Sequence, residues 1–286
     1  MQIIRALDEL QTVLSLGHYA TDTLALVPTM GALHDGHLAL VAEGKRVADR
    51  VAATIFVNPT QFNDPKDLER YPRTEEADLE KLEAAGCDLV WLPTPDQLYP
   101  AGFATSISVK GVSERWEGEH RPGHFDGVAT VVAKLLLAVR PGVAIFGEKD
   151  WQQLAVIRRM ATDLGLGIGI LGYPTVREAD GLAMSSRNAL LSAAERAQAV
   201  AIPRVLADVS REILTGEAIA AALARGKARL LDAGFSEVDY LALVDERSLE
   251  PLESSGEHMR LLVAAKLGAV RLIDNYSVTS EQQVSW

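Results

Sequence analysis

The residues best placed for chemistry are two histidines, His34 and His37, in the stretch PTMGALHDGH that runs from Pro28 to His37. An apolar run, Leu24-Ala25-Leu26-Val27, precedes the stretch, and Leu38-Ala39-Leu40-Val41 follows it. Gly31 and Gly36 punctuate the turn between. Strand, glycine-bearing turn and helix in succession is how an α/β sheet forms a nucleotide site at the carboxyl ends of its strands. A helix opening at about His37 turns its unpaired N–H groups and positive dipole end toward a phosphate. Three residues apart at such a turn, both imidazoles can face one phosphate. The pattern is His-x-Gly-His rather than the Gly-rich, Lys-bearing phosphate loop. It suits a nucleotide whose leaving group is pyrophosphate, because imidazole hydrogen-bonds phosphate oxygens and its protonated form offsets charge as the bond to the α-phosphorus breaks. The plainer alternative is two surface histidines at a helix start.

Other candidates fall at similar turns. Asn58 and Gln61, in the polar stretch after the run Val51–Val57, can fix a small polar substrate by their amides. Gly147-Glu148-Lys149-Asp150 follows the run 142–146 and repeats the strand-to-turn pattern, with Lys149 a candidate phosphate ligand and Gln152 and Gln153 in the next helix's first turn. Met184-Ser185-Ser186-Arg187 is a short basic loop with hydroxyls that can close over a triphosphate, Arg187 supplying a forked donor. Arg121, His120 and His124 lie in a polar, Gly- and His-bearing segment, 114–124, expected as a mobile loop over a site. Each of these stretches also has an ordinary reading as turn, linker or loop residues.

The elements that must position these residues follow from periodicity. Ala6, Leu7, Leu10, Val13 and Leu14 mark a helix over 5–16. Strands are expected at 24–28, 51–57, 88–92, 105–109, 142–146 and 167–173. Helices are expected at 37–48, from Thr74 to about 85, at 125–139, and up to about 164. That alternation predicts a doubly wound parallel sheet, Rossmann-like, over residues 1–175. Polar residues after Pro174 mark a boundary and a candidate hinge at 174–181. Ser192-Ala193-Ala194-Glu195 is a capping box that starts a helix. A second helix at 217–233 and strands at 237–244, 258–264 and 269–274 make 176–286 a separate, smaller α+β domain.

Composition narrows the function classes. The chain has 286 residues with 48% hydrophobic and 23% charged content, ordinary for a globular protein. Its formal net charge of −11 argues against a nucleic-acid surface. No run approaches the ~18 apolar residues of a membrane span, and the N-terminus lacks a signal-peptide pattern. A cytoplasmic protein without a membrane partner is the expectation. The one cysteine, Cys87, reads as a small core residue at the start of a strand.

Taken together, PTMGALHDGH (28–37), FVNPTQF (56–62), DLERYPR (67–73), RPGHFDGVATVV (121–132), FGEKDWQQL (146–154) and VREADGLAMSSRN (176–188) resemble the pantoate–β-alanine ligase (pantothenate synthetase) family over nearly the whole chain. The first motif is shared in kind with the wider superfamily of nucleotidyltransferases and class I aminoacyl-tRNA synthetases. The resemblance implies ATP-dependent condensation of (R)-pantoate with β-alanine through pantoyl adenylate, releasing pyrophosphate and AMP. It implies that Met30, Gly31, Ala32, Leu33, His34, Asp35, Gly36 and His37 form an ATP-binding turn, with His34 and His37 on the phosphates and His37 a candidate proton donor. It places Gln61 and Gln153 on pantoate, and Gln61 also beside β-alanine. Gly147, Glu148, Lys149 and Asp150 become a second ATP stretch with Lys149 catalytic on the phosphates. Val176 becomes an adenine-contacting backbone position, and Met184, Ser185, Ser186 and Arg187 a mobile phosphate-binding loop. Phe56, Val131, Val132 and Leu135 would wall the pantoate pocket. Magnesium would accompany ATP, with its protein ligands unassigned, and a homodimer through the larger domain is implied.

Three rivals remain at this level. A nucleotidyltransferase could move AMP onto a phosphate monoester. A metal hydrolase could use His34 and His37, although no third ligand with zincin spacing follows. A nucleotide-binding regulatory module would bind without turnover.

Overall fold

The structure is a computed structural model that describes residues 1–279. In chain order its first part runs β1 (Gln2–Ile4), α1 (Leu7–Leu14), β2 (Leu24–Thr29), α2 (Asp35–Val47), β3 (Arg50–Ile55), α3 (Pro65–Arg70), α4 (Glu75–Ala84), β4 (Leu89–Trp91), α5 (Pro95–Leu98), α6 (Glu117–His120), α7 (His124–Val139), β5 (Val143–Gly147), α8 (Trp151–Asp163) and β6 (Gly169–Tyr173). The second part adds α9 (Ala193–Ala199), α10 (Ala201–Leu214), α11 (Ile219–Asp232), β7 (Glu237–Asp245), β8 (Met259–Leu267) and β9 (Val270–Val278). The chain divides into two compact units: Met1–Glu148 with Gln153–Pro174, and Lys149–Gln152 with the chain from Thr175 onward. Division of the sequence at 175/176 does not anticipate that Lys149–Gln152 cluster with the second unit.

The first unit is the doubly wound α/β sheet that the alternation of elements implies. Its strands are parallel in the order β1-β4-β3-β2-β5-β6. Central strands buried on both faces read as continuous apolar runs, and Leu24 to Val27 of β2 are all buried. Period two sends Ala25 and Val27 into a core shared with Leu40 and Val41 of α2, Leu82 of α4 and Ile145 of β5. The alternate face is covered by α7, packed on β2 and on α1. The strand order reverses between β2 and β5, and at such a switch point the loops leaving the carboxyl ends part to open a crevice. The chain leaving β2 carries the two histidines, and the chain leaving β5 begins the Gly147–Asp150 stretch.

Two strand expectations are corrected. Residues 105–109 form no strand: Val109 is buried, but the N–H of Ile107 is taken by the Thr130 hydroxyl of α7 at 2.9 Å instead of by a ladder. The sixth strand is β1, in register with β4 from Gln2↔Leu89 to Ile4↔Trp91. Three residues are too few to display an alternation, which is why the sequence hides it.

The second unit is α+β. β7, β8 and β9 form an antiparallel sheet, and α10 and α11 pack on one face through a core that includes Ile202, Leu206, Val209, Leu241, Leu261 and Val263. The capping box at Ser192 opens a helix as expected, but the helical stretch it starts is broken at Val200 into α9 and α10.

Candidate active site

The histidine turn is built from the end of β2 outward. The Thr29 hydroxyl donates to Thr54 O across the sheet (2.7 Å) and accepts from Gly31 N (3.3 Å). Gly31 at φ +80 and Ala32 at φ +50 then reverse the chain. Gly31 is required twice over: its φ is unfavourable for a side chain, and a β-carbon there would sit 3.1 Å from Asp78 Oδ2 and 3.2 Å from Ile55 Cγ2. Asp78, fully buried in α4, accepts the N–H groups of Ala32 and Leu33, each at 2.8 Å, and the Thr74 hydroxyl at 3.1 Å. Lys81 Nζ donates to Leu33 O at 2.7 Å. One helical turn of α4 thus grips both the donor and the acceptor side of the loop.

His34 is the N-cap of α2, which begins at Asp35, two residues earlier than expected. Its Nδ1 accepts from Gly36 N (3.2 Å), and Nδ1 of His37 accepts from His34 N (3.3 Å). This is a capping box made by two imidazoles, whose ring centres lie 4.1 Å apart. An Nδ1 that accepts a hydrogen bond carries no proton, so each neutral ring is the Nε2–H tautomer. Both rings are thereby set as neutral donors through Nε2 at the positive end of a helix.

Gln61 lies in the 3₁₀ turn Pro59–Gln61 beyond β3. Asn58 is buried and supports this turn. Its Nδ2 donates to Gln61 Oε1 (3.1 Å) and to Gly127 O of α7 (3.2 Å), while its Oδ1 accepts from Thr60 and from the Tyr99 hydroxyl (2.7 Å). Burial pushes the Tyr99 phenol pKa up, which keeps it a donor. Gln61 Nε2 meets Met30 Sδ at 3.0 Å, bringing the amide against the histidine turn. The Gln61 carbonyl accepts from His124 Nδ1 (2.8 Å) and Arg121 Nη2 (3.2 Å), and Arg121 also reaches His124 Nε2 (3.2 Å). Arg121 and His124, read from sequence as possible phosphate or carboxylate ligands, therefore hold the Gln61 backbone, and His120 lies exposed on α6. Gly127 permits the close approach of α7, since a β-carbon there would stand 2.5 Å from Thr60 O. Gln153 is half-buried in the first turn of α8, beyond the carboxyl end of β5.

Glu148–Asp150 form a 3₁₀ turn, of which Lys149 and Asp150 belong to the second unit, and Lys149 Nζ lies 3.5 Å from Asp150 Oδ1. Asn275 Nδ2 donates to Lys149 O (2.9 Å). Residues 176–184, which overlap the expected hinge at 174–181 and reach the start of the expected loop at Met184, form a hydrogen-bonded hairpin: Arg177 bridges Ala183, and Met184 N donates to Val176 O (3.0 Å). That bond brings Val176 and Met184 together. Ser185 caps the 3₁₀ turn Ser186–Leu190, its hydroxyl accepting from Arg187 N (3.2 Å). Arg196 ties Asp180 and Glu178 to α9, and its guanidinium holds the Asp180 carboxyl below the usual range.

Among the described residues no group of three or more His, Cys, Asp or Glu side chains could hold a metal ion. Within the described residues there is thus no all-protein cage for a divalent cation. Two residues that hold these turns escape a reading aimed at ligands: Asp78 and Tyr99. Asp78 had one signal. It shares the buried stripe of α4 with Leu82, four residues on, where an apolar residue is the rule.

The model of the family described as pantoate-beta-alanine ligase matches residues 2–277. Pantothenate synthetase of Rhizorhabdus wittichii is 54% identical over 278 residues, covering 97% of this chain and 99% of that one. The crystal structure of pantothenate synthetase from Thermus thermophilus superposes with a TM-score of 0.92 at 45% identity, over 97% of this chain and 99% of that one. A pantoate-beta-alanine ligase structure from Francisella tularensis, complexed with beta-gamma ATP and beta-alanine, gives a TM-score of 0.81 at 32% identity, over 97% of each chain. With the sheet order, the doubled histidine cap and the Gln61 turn in place, these similarities settle kinship: the chain belongs to the pantoate–β-alanine ligase family.

Proposed function

We propose that the ligation runs in two steps, ATP and pantoate giving pantoyl adenylate and pyrophosphate, and the adenylate and β-alanine giving pantothenate and AMP. The observation that carries this reading is the reciprocal cap of His34 and His37, which sets two neutral Nε2–H donors at one helix N-terminus. A pantoate carboxylate oxygen attacks the α-phosphorus as the bond to the β-phosphate oxygen breaks, and negative charge grows on the α-phosphate and the departing pyrophosphate. Fixed donors aimed at that charge stabilise it without reorganising. The β-alanine amine, having lost one proton to solvent, then forms a bond to the acyl carbon; the bond from that carbon to the adenylate oxygen breaks, AMP leaves with that oxygen, and the second proton on nitrogen is released to solvent. Neither step requires a side-chain nucleophile.

Gln61 and Gln153 are the proposed pantoate contacts, Gln61 also bordering β-alanine. The Asn58 bond sets the orientation of the Gln61 amide, directing its N–H groups toward the side of Met30. On the second unit, Lys149, the Val176 backbone and Met184–Arg187 are the proposed ATP contacts. Magnesium bound to the triphosphate would shield its charge. The Francisella structure complexed with beta-gamma ATP and beta-alanine supports ATP and β-alanine as ligands here. A cytoplasmic homodimer accords with this reading.

Pyrophosphate–ATP exchange with pantoate present and β-alanine absent tests it. Exchange that depends on pantoate is expected. ATP binding without exchange would exclude the adenylate and return the histidine turn to a transferase acting on phosphate esters or to a non-catalytic role.

A further inference from the structure

We infer that Asp274 and Asn275, neighbours on β9, are positioning residues that fix two of the proposed ATP-contacting stretches, one on each face of the second unit's sheet. The inference rests on the assignment of Lys149 and the Val176–Met184 hairpin to ATP made above.

Successive side chains on a strand point to opposite faces. Asp274 pairs with Val263, a member of the core under α10 and α11, whereas Asn275 pairs with Leu262. On the first face the Asp274 carboxylate takes the Arg177 fork at 2.7 and 3.0 Å. Arg177 also donates to Gly181 O (3.0 Å) and Asn275 O (3.2 Å). It directly follows Val176, whose carbonyl accepts from Met184. One guanidinium therefore ties the first strand of the hairpin to its turn and to β9. On the other face Asn275 Nδ2 donates to Lys149 O at 2.9 Å, and its Oδ1 accepts from Arg260 Nη1 at 2.6 Å. Arg260 in turn lies over the Trp151 ring, 3.4 Å from its centroid, and Trp151 Nε1 donates to Glu246 O at 2.9 Å. Lys149 is thus fixed at its own carbonyl and again two residues on.

Core packing alone does not call for this pair. Asp274 and Asn275 are 4% and 3% exposed, and burying polar groups costs stability unless they are bonded. Asp and Asn are also poor strand formers. Their side-chain bonds reach Arg177, the main chain of Lys149 and the Arg260 guanidinium that covers Trp151, so what they supply includes the placement of those stretches. A misplacement of about 1 Å at a reacting group can cost roughly 10²-fold in rate.

The test uses the full-length chain with Asn275→Asp and Asp274→Asn. Asn275→Asp keeps the shape and an acceptor for Arg260 but removes the donor to Lys149 O. Asp274→Asn keeps the shape and weakens the Arg177 fork, and it is the independent second variant if the first does not fold. Exchange rates are measured against ATP and against pantoate, beside urea unfolding. Both variants are expected to unfold cooperatively, with the ATP KM raised about tenfold or more and the pantoate KM within about twofold of the parent. Equal rises in both KM values would mark a merely structural role and overturn the inference, as would folded variants with parental ATP kinetics. Lys149→Ala separates the two readings. An impaired Lys149→Ala beside an unimpaired Asn275→Asp overturns the positioning role alone, and an unimpaired Lys149→Ala overturns the ATP assignment beneath it.

Discussion

Replacing Asp78 by Asn should uncouple the histidine turn from the helix that holds it. The Asp78 carboxylate accepts two backbone N–H groups at 2.8 Å, from Ala32 and Leu33, in a site with no solvent exposure. Hydrogen bonds to a charged group contribute about 1.5–3 kcal/mol each. An Asn amide offers one oxygen, so one N–H loses its acceptor and faces an NH₂ group instead. The expected loss is about 2–4 kcal/mol, within the ~5–15 kcal/mol by which domains of this kind are stable, so the variant should fold. Ala32 sits at φ +50, a strained position that persists only while its surroundings hold it. Its relaxation moves His34, two residues away, and with it the cap that aims both rings. Pantoate-dependent exchange should fall by about 10²-fold. Urea unfolding and exchange, measured on the same preparation, decide the matter. A destabilised variant with parental exchange would refute the claim that Asp78 acts through the turn, and unchanged stability would refute the hydrogen-bond accounting itself.

Three further outcomes are expected. His34→Ala and His37→Ala should each lower exchange by about 10²–10³-fold, the effect of removing one donor to developing charge. Each also loses a cap bond, at a cost near ~1 kcal/mol, so calorimetry showing either variant unfolded at ambient temperature would contradict the placement of both rings at a polar helix start. Gly127→Ala drives a β-carbon to 2.5 Å from Thr60 O and 2.9 Å from Gln61 N. It should cost about 1–3 kcal/mol in a melt and raise the KM for pantoate but not for ATP; an unaltered pantoate KM would count against Gln61 as its contact. Burial pushes the Cys87 thiol up to about 12. The reactive thiolate is then scarce at neutral pH, so an aromatic disulfide reagent should label Cys87 only on unfolding, and rapid labelling of native protein would contradict the buried placement.

How much of this was legible in the sequence varied with the kind of residue. The long strands and helices were readable because burial on one face leaves a period. β2 reads as LALV and α7 as a stripe of valines and leucines. The turns that end β2, β3 and β5 were readable because His, Gln and Lys stand where an apolar run stops. What failed was whatever depends on a partner far along the chain. β1 exists because β4 pairs with it, and 105–109 is not a strand because a threonine of α7 takes its N–H. Arg121 and His124 look like ligands in sequence, yet they grip a carbonyl some sixty residues earlier in the chain.

The division between the proposed contact residues and the residues that hold them has a physical origin. A side chain that must meet a ligand cannot usually anchor its own turn, because its polar atoms are committed outward. Lys149 has one side-chain nitrogen, and its backbone is held by Asn275. Gln61 has two polar side-chain atoms, but its carbonyl is held by Arg121 and His124 and its amide is oriented by Asn58. The holders are therefore buried, polar and remote in sequence, which makes them invisible to a search for ligands. The histidine pair is the exception that imidazole chemistry permits. Each ring has two nitrogens, so Nδ1 closes the helix cap as an acceptor and Nε2–H remains the donor. Lysine, which has donors only, cannot do both, whereas the imidazole does so on one rigid ring.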